Sequence, residues 1–65
     1  MDNNPKLLPR EVQIAELLCK GLRDDEIAEA LELSVKTIRN NLTAMYRVCK
    51  VRNRVEFCMK YKDVA

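Results

Sequence analysis

The sequence predicts an all-α domain of four short helices with no sheet. Three observations predict it. Apolar residues recur at helical spacing in separate stretches: Val12, Ala15, Leu18, Cys19 and Leu22, then Ile27, Ala28 and Leu31, then Val35, Ile38, Leu42, Met45, Tyr46 and Cys49. Residues that start or stop helices fall between these stretches, among them Pro9, Gly21, Asp24 and Ser34. The composition, 48% hydrophobic and 34% charged with one Gly and two Pro in 65 residues, suits one helical domain rather than a disordered tail. A chain this short buries only ~60% of the surface it exposes when unfolded. It has room for one small core and little room for a deep substrate pocket.

Residues 1–8 read as a flexible lead-in, and residues 9–63 as the domain. Pro9 suits the first turn of helix 1, where its missing N–H costs nothing. Gly21 stands where that helix must stop, in the left-handed cap position. Asp24 is expected to cap helix 2, with Asp25 and Glu26 placing negative charge in its positive first turn. Helix 2 ends near Glu32, and the apolar Leu33 in the turn is expected to point inward. Ser34 caps helix 3, which runs to Cys49. Its core stripe leaves Lys36, Arg39, Asn40, Thr43 and Arg47 on the opposite side. Val51 and Asn53 mark a connector, and Arg54 to Asp63 form helix 4. That helix has Phe57, Cys58 and Tyr61 on one face and Val55, Met59 and Lys62 on another. Either one face packs inward while the other meets a partner, or both belong to one broad core face.

Charge changes sign along the chain. Residues 11–32 hold seven acidic and two basic side chains, a net of −5. Residues 34–54 hold six basic side chains and no acidic one. A one-signed segment within a chain of net charge +2 marks a footprint for a polyanion. The bland reading of such a face is solvated surface. The coincidence of helix lengths, a turn of about three residues and this charge reversal favours a helix-turn-helix. In that motif the second helix enters the major groove and the first supports it from outside. Acidic side chains suit the supporting helix and basic ones suit the reading helix.

The side chains of helix 3 suit base reading. Arg39 can donate a bidentate pair to guanine, Asn40 can pair with adenine, and Thr43 can touch a thymine methyl. Lys36, Thr37, Asn41, Arg47, Lys50, Arg52 and Arg54 can hold phosphates.

Other classes are disfavoured. With no His, no metal-ligand cluster, no Gly-rich phosphate loop and no nucleophile beside a base, an enzyme is not expected, nor a cofactor or metal. The three cysteines, Cys19, Cys49 and Cys58, match no zinc spacing. They read as small core hydrophobes in a reducing cytoplasm, with Cys58 the choice for any redox role. Neither an apolar leader nor a membrane-length apolar run is visible. No membrane and no small-molecule ligand is expected.

Several short pieces then carry a family resemblance: "PRE" at Pro9 to Glu11, Gly21-Leu22, "EIA" at Glu26 to Ala28, Leu33-Ser34, "KTI" at Lys36 to Ile38, Arg39-Asn40, Met45-Tyr46-Arg47 and "VRNR" at Val51 to Arg54. In this order and spacing the chain resembles the LuxR/GerE-type helix-turn-helix, the output domain of NarL-like bacterial response regulators, from about Leu7 to Tyr61. The resemblance implies four helices, with helix 3 for recognition and helix 4 for dimerisation. It implies transcription regulation by a dimer on double-stranded DNA, at the nucleoid, with RNA polymerase a further possible partner. It places base reading on Arg39, Asn40 and Thr43, and backbone contacts near Lys36, Thr37, Asn41, Arg52 and Arg54. It places the dimer face on helix 4, with Val55, Met59 and Lys62 as its candidate residues.

The chain departs from the pattern at five places. Leu8 replaces a capping Ser or Thr, a loss of ~0.5–2 kcal/mol. Arg23 replaces a small polar residue, and Val35 a Glu. Lys50 replaces Gly or Asn, and Phe57 replaces the smaller Ala. These leave room for an alternative, a helical protein-interaction module that has lost specific DNA binding. A third reading, region 4 of a sigma factor, shares the "EIAEALELS" pattern, but "VRNR" and helix 4 argue against it. The 65 residues hold no receiver domain, so the chain reads as an output domain or as a small free-standing regulator.

Overall fold

A computed structural model describes residues 7–64, with side chains to Tyr61. Four helices follow one another: α1 (Pro9–Cys19), α2 (Asp24–Leu31), α3 (Val35–Cys49) and α4 (Arg54–Val64). The described residues contain no strand. The expected all-α, four-helix architecture is the observed one. Helix α1 lies against each of the other three. Of the expected lead-in, residues 1–6 lie outside the described residues; Leu7 packs on the core and Leu8 is exposed.

Each helix start is satisfied by a nearby polar group, not always the expected one. Leu8 has no oxygen to cap α1, but its own N–H donates to Glu11 Oε1 at 2.9 Å. Half of a capping box therefore survives. For α2 the expected cap is corrected. Arg23, not Asp24, is the N-cap residue, and its N–H donates to Glu26 Oε1 at 2.8 Å. Asp24 becomes the first helical residue, and its carboxylate is free to reach other helices. Ser34 caps α3 as expected, its Oγ accepting the Thr37 N–H at 3.0 Å. The connector residue Asn53 is the cap of α4: its Oδ1 accepts the Glu56 N–H at 2.9 Å, while Glu56 Oε1 accepts the Arg52 N–H at 2.8 Å.

The ends of α1, α2 and α3 share one device. A residue in the left-handed region turns the chain, and the next N–H reaches back five residues. Gly21 (φ 98°), Glu32 (φ 57°) and Lys50 (φ 60°) turn it. Leu22, Leu33 and Val51 then donate to the carbonyls of Leu17, Ala28 and Tyr46 at 3.3, 2.8 and 2.9 Å. This is the Schellman arrangement, and the apolar residue that follows each turn packs on the core. Gly21 takes the conformation at little cost. Glu32 and Lys50 take it with a Cβ, a strain of ~1–2 kcal/mol each.

The core gathers one face of every helix: Ile14 and Leu18 from α1, Ile27 from α2, Ile38 and Met45 from α3, and Phe57 from α4, all fully buried. Burying each such side chain contributes roughly 1.5–3 kcal/mol. Phe57 lies between two tyrosines, its ring centroid 5.8 Å from both Tyr46 and Tyr61 and nearly parallel to Tyr61. Its size is thus used as the central contact of α4. The open choice on α4 is also resolved. Phe57 faces in with Cys58 and Tyr61 half-buried, while Val55 and Met59 are each 64% exposed. The side chain of Lys62 lies outside the described residues.

The cysteine expectation is corrected in part. Cys49 is a buried, free core thiol. Cys19 and Cys58 are instead half-buried and joined as a disulfide between α1 and α4, with Cα atoms 5.4 Å apart. Helix packing brings them together across 39 residues of sequence, a proximity that no local spacing encodes.

Candidate nucleic-acid interface

Three residues, Glu32 to Ser34, separate α2 from α3. The αL turn at Glu32 and the inward Leu33 set the angle between the helices. The Ser34 cap then starts α3 firmly, and the Ser34 hydroxyl also donates to Thr37 Oγ1 at 2.9 Å. With Ile38, Leu42, Met45 and Cys49 buried, the opposite face of α3 is forced outward.

That face presents Lys36, Arg39, Asn40, Thr43 and Arg47, all exposed. Arg39, Asn40 and Thr43 stand at i, i+1 and i+4, so the three side chains share one patch. The Thr43 hydroxyl donates to the Arg39 carbonyl at 3.0 Å, which occupies its hydrogen. Lys36 lies one turn before this patch and Arg47 one turn after it.

The remaining expected phosphate-holding residues are less uniform. Lys50 and Arg52 are exposed beyond the C-terminal end of α3. Thr37 and Asn41 are half-buried at the flank, and the Asn41 amide donates to the Thr37 carbonyl at 2.8 Å. Their groups are already engaged within the helix. Arg54 is half-buried and points back toward α2, where its guanidinium donates to Asp24 Oδ1 at 3.2 Å.

The family described as bacterial regulatory proteins, luxR family, matches residues 5–61. The chain belongs to that family. It is also similar to the transcriptional regulatory protein DesR of Bacillus subtilis (strain 168), with 33% identity over 60 residues. The similarity takes in 92% of this chain but 30% of DesR, so the chain spans under a third of that relative. No solved structure matches it. Domains of the luxR family are DNA-binding regulatory domains, not enzymes.

In this luxR-family domain one residue beside the exposed face of α3 goes unread in the sequence. Asp24 holds Arg54 through one oxygen and lies 3.6 Å from Arg39 Nε through the other. One carboxylate thus bridges the start of α2 to α3 and to α4. The acidic run Asp24, Asp25, Glu26 reads locally as capping charge, and only the crossing of α2 and α3 turns its first member toward the cations. Tyr46 joins the same cluster. Burial raises its hydroxyl pKa, Arg54 lowers it in part and Asp24 adds to the rise. None of the helices among the described residues is long and apolar enough to cross a membrane.

Proposed function

We propose that the protein regulates transcription by binding double-stranded DNA in a sequence-specific way, as a dimer, with α3 in the major groove. The observation that carries this is the single exposed patch of Arg39, Asn40 and Thr43, flanked by Lys36 and Arg47, on a helix held by the Ser34 cap. Arg39 and Asn40 read base edges, and the Thr43 methyl contacts thymine. Lys36, Arg47, Lys50 and Arg52 contact phosphates. Thr37 and Asn41 fix the flank of α3, and Arg54 joins the phosphate contacts from its pairing with Asp24. Val55 and Met59, exposed on α4, form the dimer face together with Lys62. The relative's name, a transcriptional regulatory protein, is in keeping with this reading. On this reading the protein works at the DNA, in the cytoplasm.

The test is fluorescence anisotropy of the chain on a pool of random duplexes at two salt concentrations, followed by sequencing of the bound fraction. The expected outcome is enrichment of an inverted repeat, with log K falling by roughly 0.9 per neutralised phosphate for each tenfold rise in salt. Arg39→Ala lowers discrimination at one base position by ~1–3 kcal/mol, while Lys36→Ala weakens all sequences alike. Salt-sensitive binding with no enriched sequence would sink the reading and favour a protein partner for these faces.

A further inference from the structure

Cys19 and Cys58 are the part of the molecule that DNA binding does not use. Cys19 ends α1, and Cys58 lies in the second turn of α4. Both sit on helices, so neither is carried by a loop. Their Cα separation of 5.4 Å lies within the 4.4–6.8 Å span that a disulfide bridges without backbone movement. Both cysteines line a groove of about 280 Å³ between α1 and α4, bordered by Leu18, Gly21, Val55 and Met59. Both residues are half-buried, so a small reagent entering the groove can reach them. Cys49 differs: it is 2% exposed, unpaired, and its thiol is held protonated by burial.

The attachment of α4 gives the pair its consequence. Apart from the disulfide, α4 is held by Phe57 and Tyr61, by Arg54 on Asp24, and by Lys60 Nζ donating to the Cys49 carbonyl at 2.7 Å. A covalent link from α1 to the middle of this helix fixes its position and with it the outward pair Val55 and Met59.

We propose that Cys19 and Cys58 form a reversible thiol–disulfide site that exchanges with low-molecular-weight disulfides and fastens α4 to α1 when oxidised. One cysteine thiolate attacks the small disulfide, forming a mixed disulfide and releasing one small thiol. The second cysteine thiolate attacks the protein sulfur of that mixed disulfide and releases the second small thiol. Two electrons leave the protein, and the two cysteine protons end on the two small thiols, directly or through solvent. In excess thiol the same steps run backward and free α4 from its covalent link.

The test uses the whole 65-residue chain in glutathione buffers of graded oxidised-to-reduced ratio. Each sample is quenched with an alkylating agent and mapped by peptide mass spectrometry. The expected result is a Cys19–Cys58 linked peptide that rises and falls with the ratio, while Cys49 is alkylated only after denaturation. The oxidised form melts higher by on the order of 10 °C, because the link closes a long loop of the unfolded chain. Amide exchange in α4 slows by about tenfold or more on oxidation. A Cys49→Ser variant keeps all three responses and Cys58→Ser loses them. The wild-type titration decides the matter even if Cys58→Ser does not fold. Linked peptides that contain Cys49, mixed disulfides that never resolve, or a bond that persists at every reducing ratio would each overturn the proposal.

Discussion

The Asp24 carboxylate lies 3.2 Å from the Arg54 guanidinium and joins the first residue of α2 to the first residue of α4. The other oxygen of Asp24 is 3.6 Å from Arg39, on the exposed face of α3. Asp24→Asn removes the charge and keeps the shape. The Asp24 and Arg54 side chains are 29% and 39% exposed, so water screens the pair and the expected loss of stability is about 1 kcal/mol or less. The larger effect falls on DNA. With Asp24 neutral, Arg54 is free to meet phosphates and the repulsion of the Asp24 charge on DNA is gone, so affinity rises for operator and scrambled duplexes alike. Anisotropy titrations on both duplexes check this. Equal affinities for Asp24→Asn and the parent would show that the carboxylate neither restrains Arg54 nor repels DNA.

Lys50 ends α3 at φ 60° with a Cβ in place. Lys50→Gly relieves the left-handed strain and is expected to stabilise the fold by about 1 kcal/mol. It also removes a proposed phosphate contact, so the salt slope of DNA binding falls by about one. Glu32→Gly gives a similar gain in stability without losing a cation. Urea unfolding of the three proteins measures the first effect, and a lower midpoint for both glycine variants would contradict the strain assignment.

Phe57 is 1% exposed and packs between Tyr46 and Tyr61. Phe57→Ala is expected to cost ~3–5 kcal/mol. A domain of this length holds roughly 3–10 kcal/mol in total. The variant is therefore at or near unfolding, and its helical circular dichroism is weak at 37 °C. Met59→Ala, on the exposed side of α4, leaves the monomer within ~0.5 kcal/mol of the parent. If the two substitutions had equal effects, the inward and outward faces of α4 would be wrongly assigned.

Alkaline pH is expected to weaken the fold. Burial raises the folded pKa of Cys49, with Lys60 opposing and Glu11 adding, and burial also raises that of Tyr46. Each group thus loses its proton more readily in the unfolded chain. Its stabilising share is whole below the unfolded value, ~8.5 for Cys and ~10 for Tyr, and is lost as pH rises through the folded value. Urea midpoints therefore fall from about pH 9 upward. Cys49→Ala removes the early part of that decline and Tyr46→Phe the later part. An unchanged profile in both variants would place its origin elsewhere.

Local patterns in the chain were enough for the helices and for the exposed face of α3. The stripe Ile38, Leu42, Met45 and Cys49 fixes which side of α3 is buried, and so which side carries Lys36, Arg39, Asn40 and Thr43. Ser34 is legible as a cap because capping is a bond between residues three apart. The same logic makes Asn53 and Glu56 legible in principle as an N-x-x-E start, though the stretch reads first as a connector.

Contacts between elements distant in sequence were decided by the tertiary structure. Both stripes of α4 carry apolar residues, so periodicity alone does not rank them; packing against the core beside Tyr46 and Tyr61 selects Phe57. Asp24 could cap its own helix or pair with distant arginines, and the crossing of α2 with α3 and α4 chose the second. The left-handed turns at Glu32 and Lys50 carry no glycine to announce them and are held by the inward pull of Leu33 and Val51. Cys19 and Cys58 meet only because α4 folds back onto α1. By itself the sequence determined the helices and the charged face that α3 offers, because those follow from forces acting within a few residues. Partnerships among Asp24, Arg39, Arg54 and the two cysteines depend on where whole helices cross, which packing alone decides.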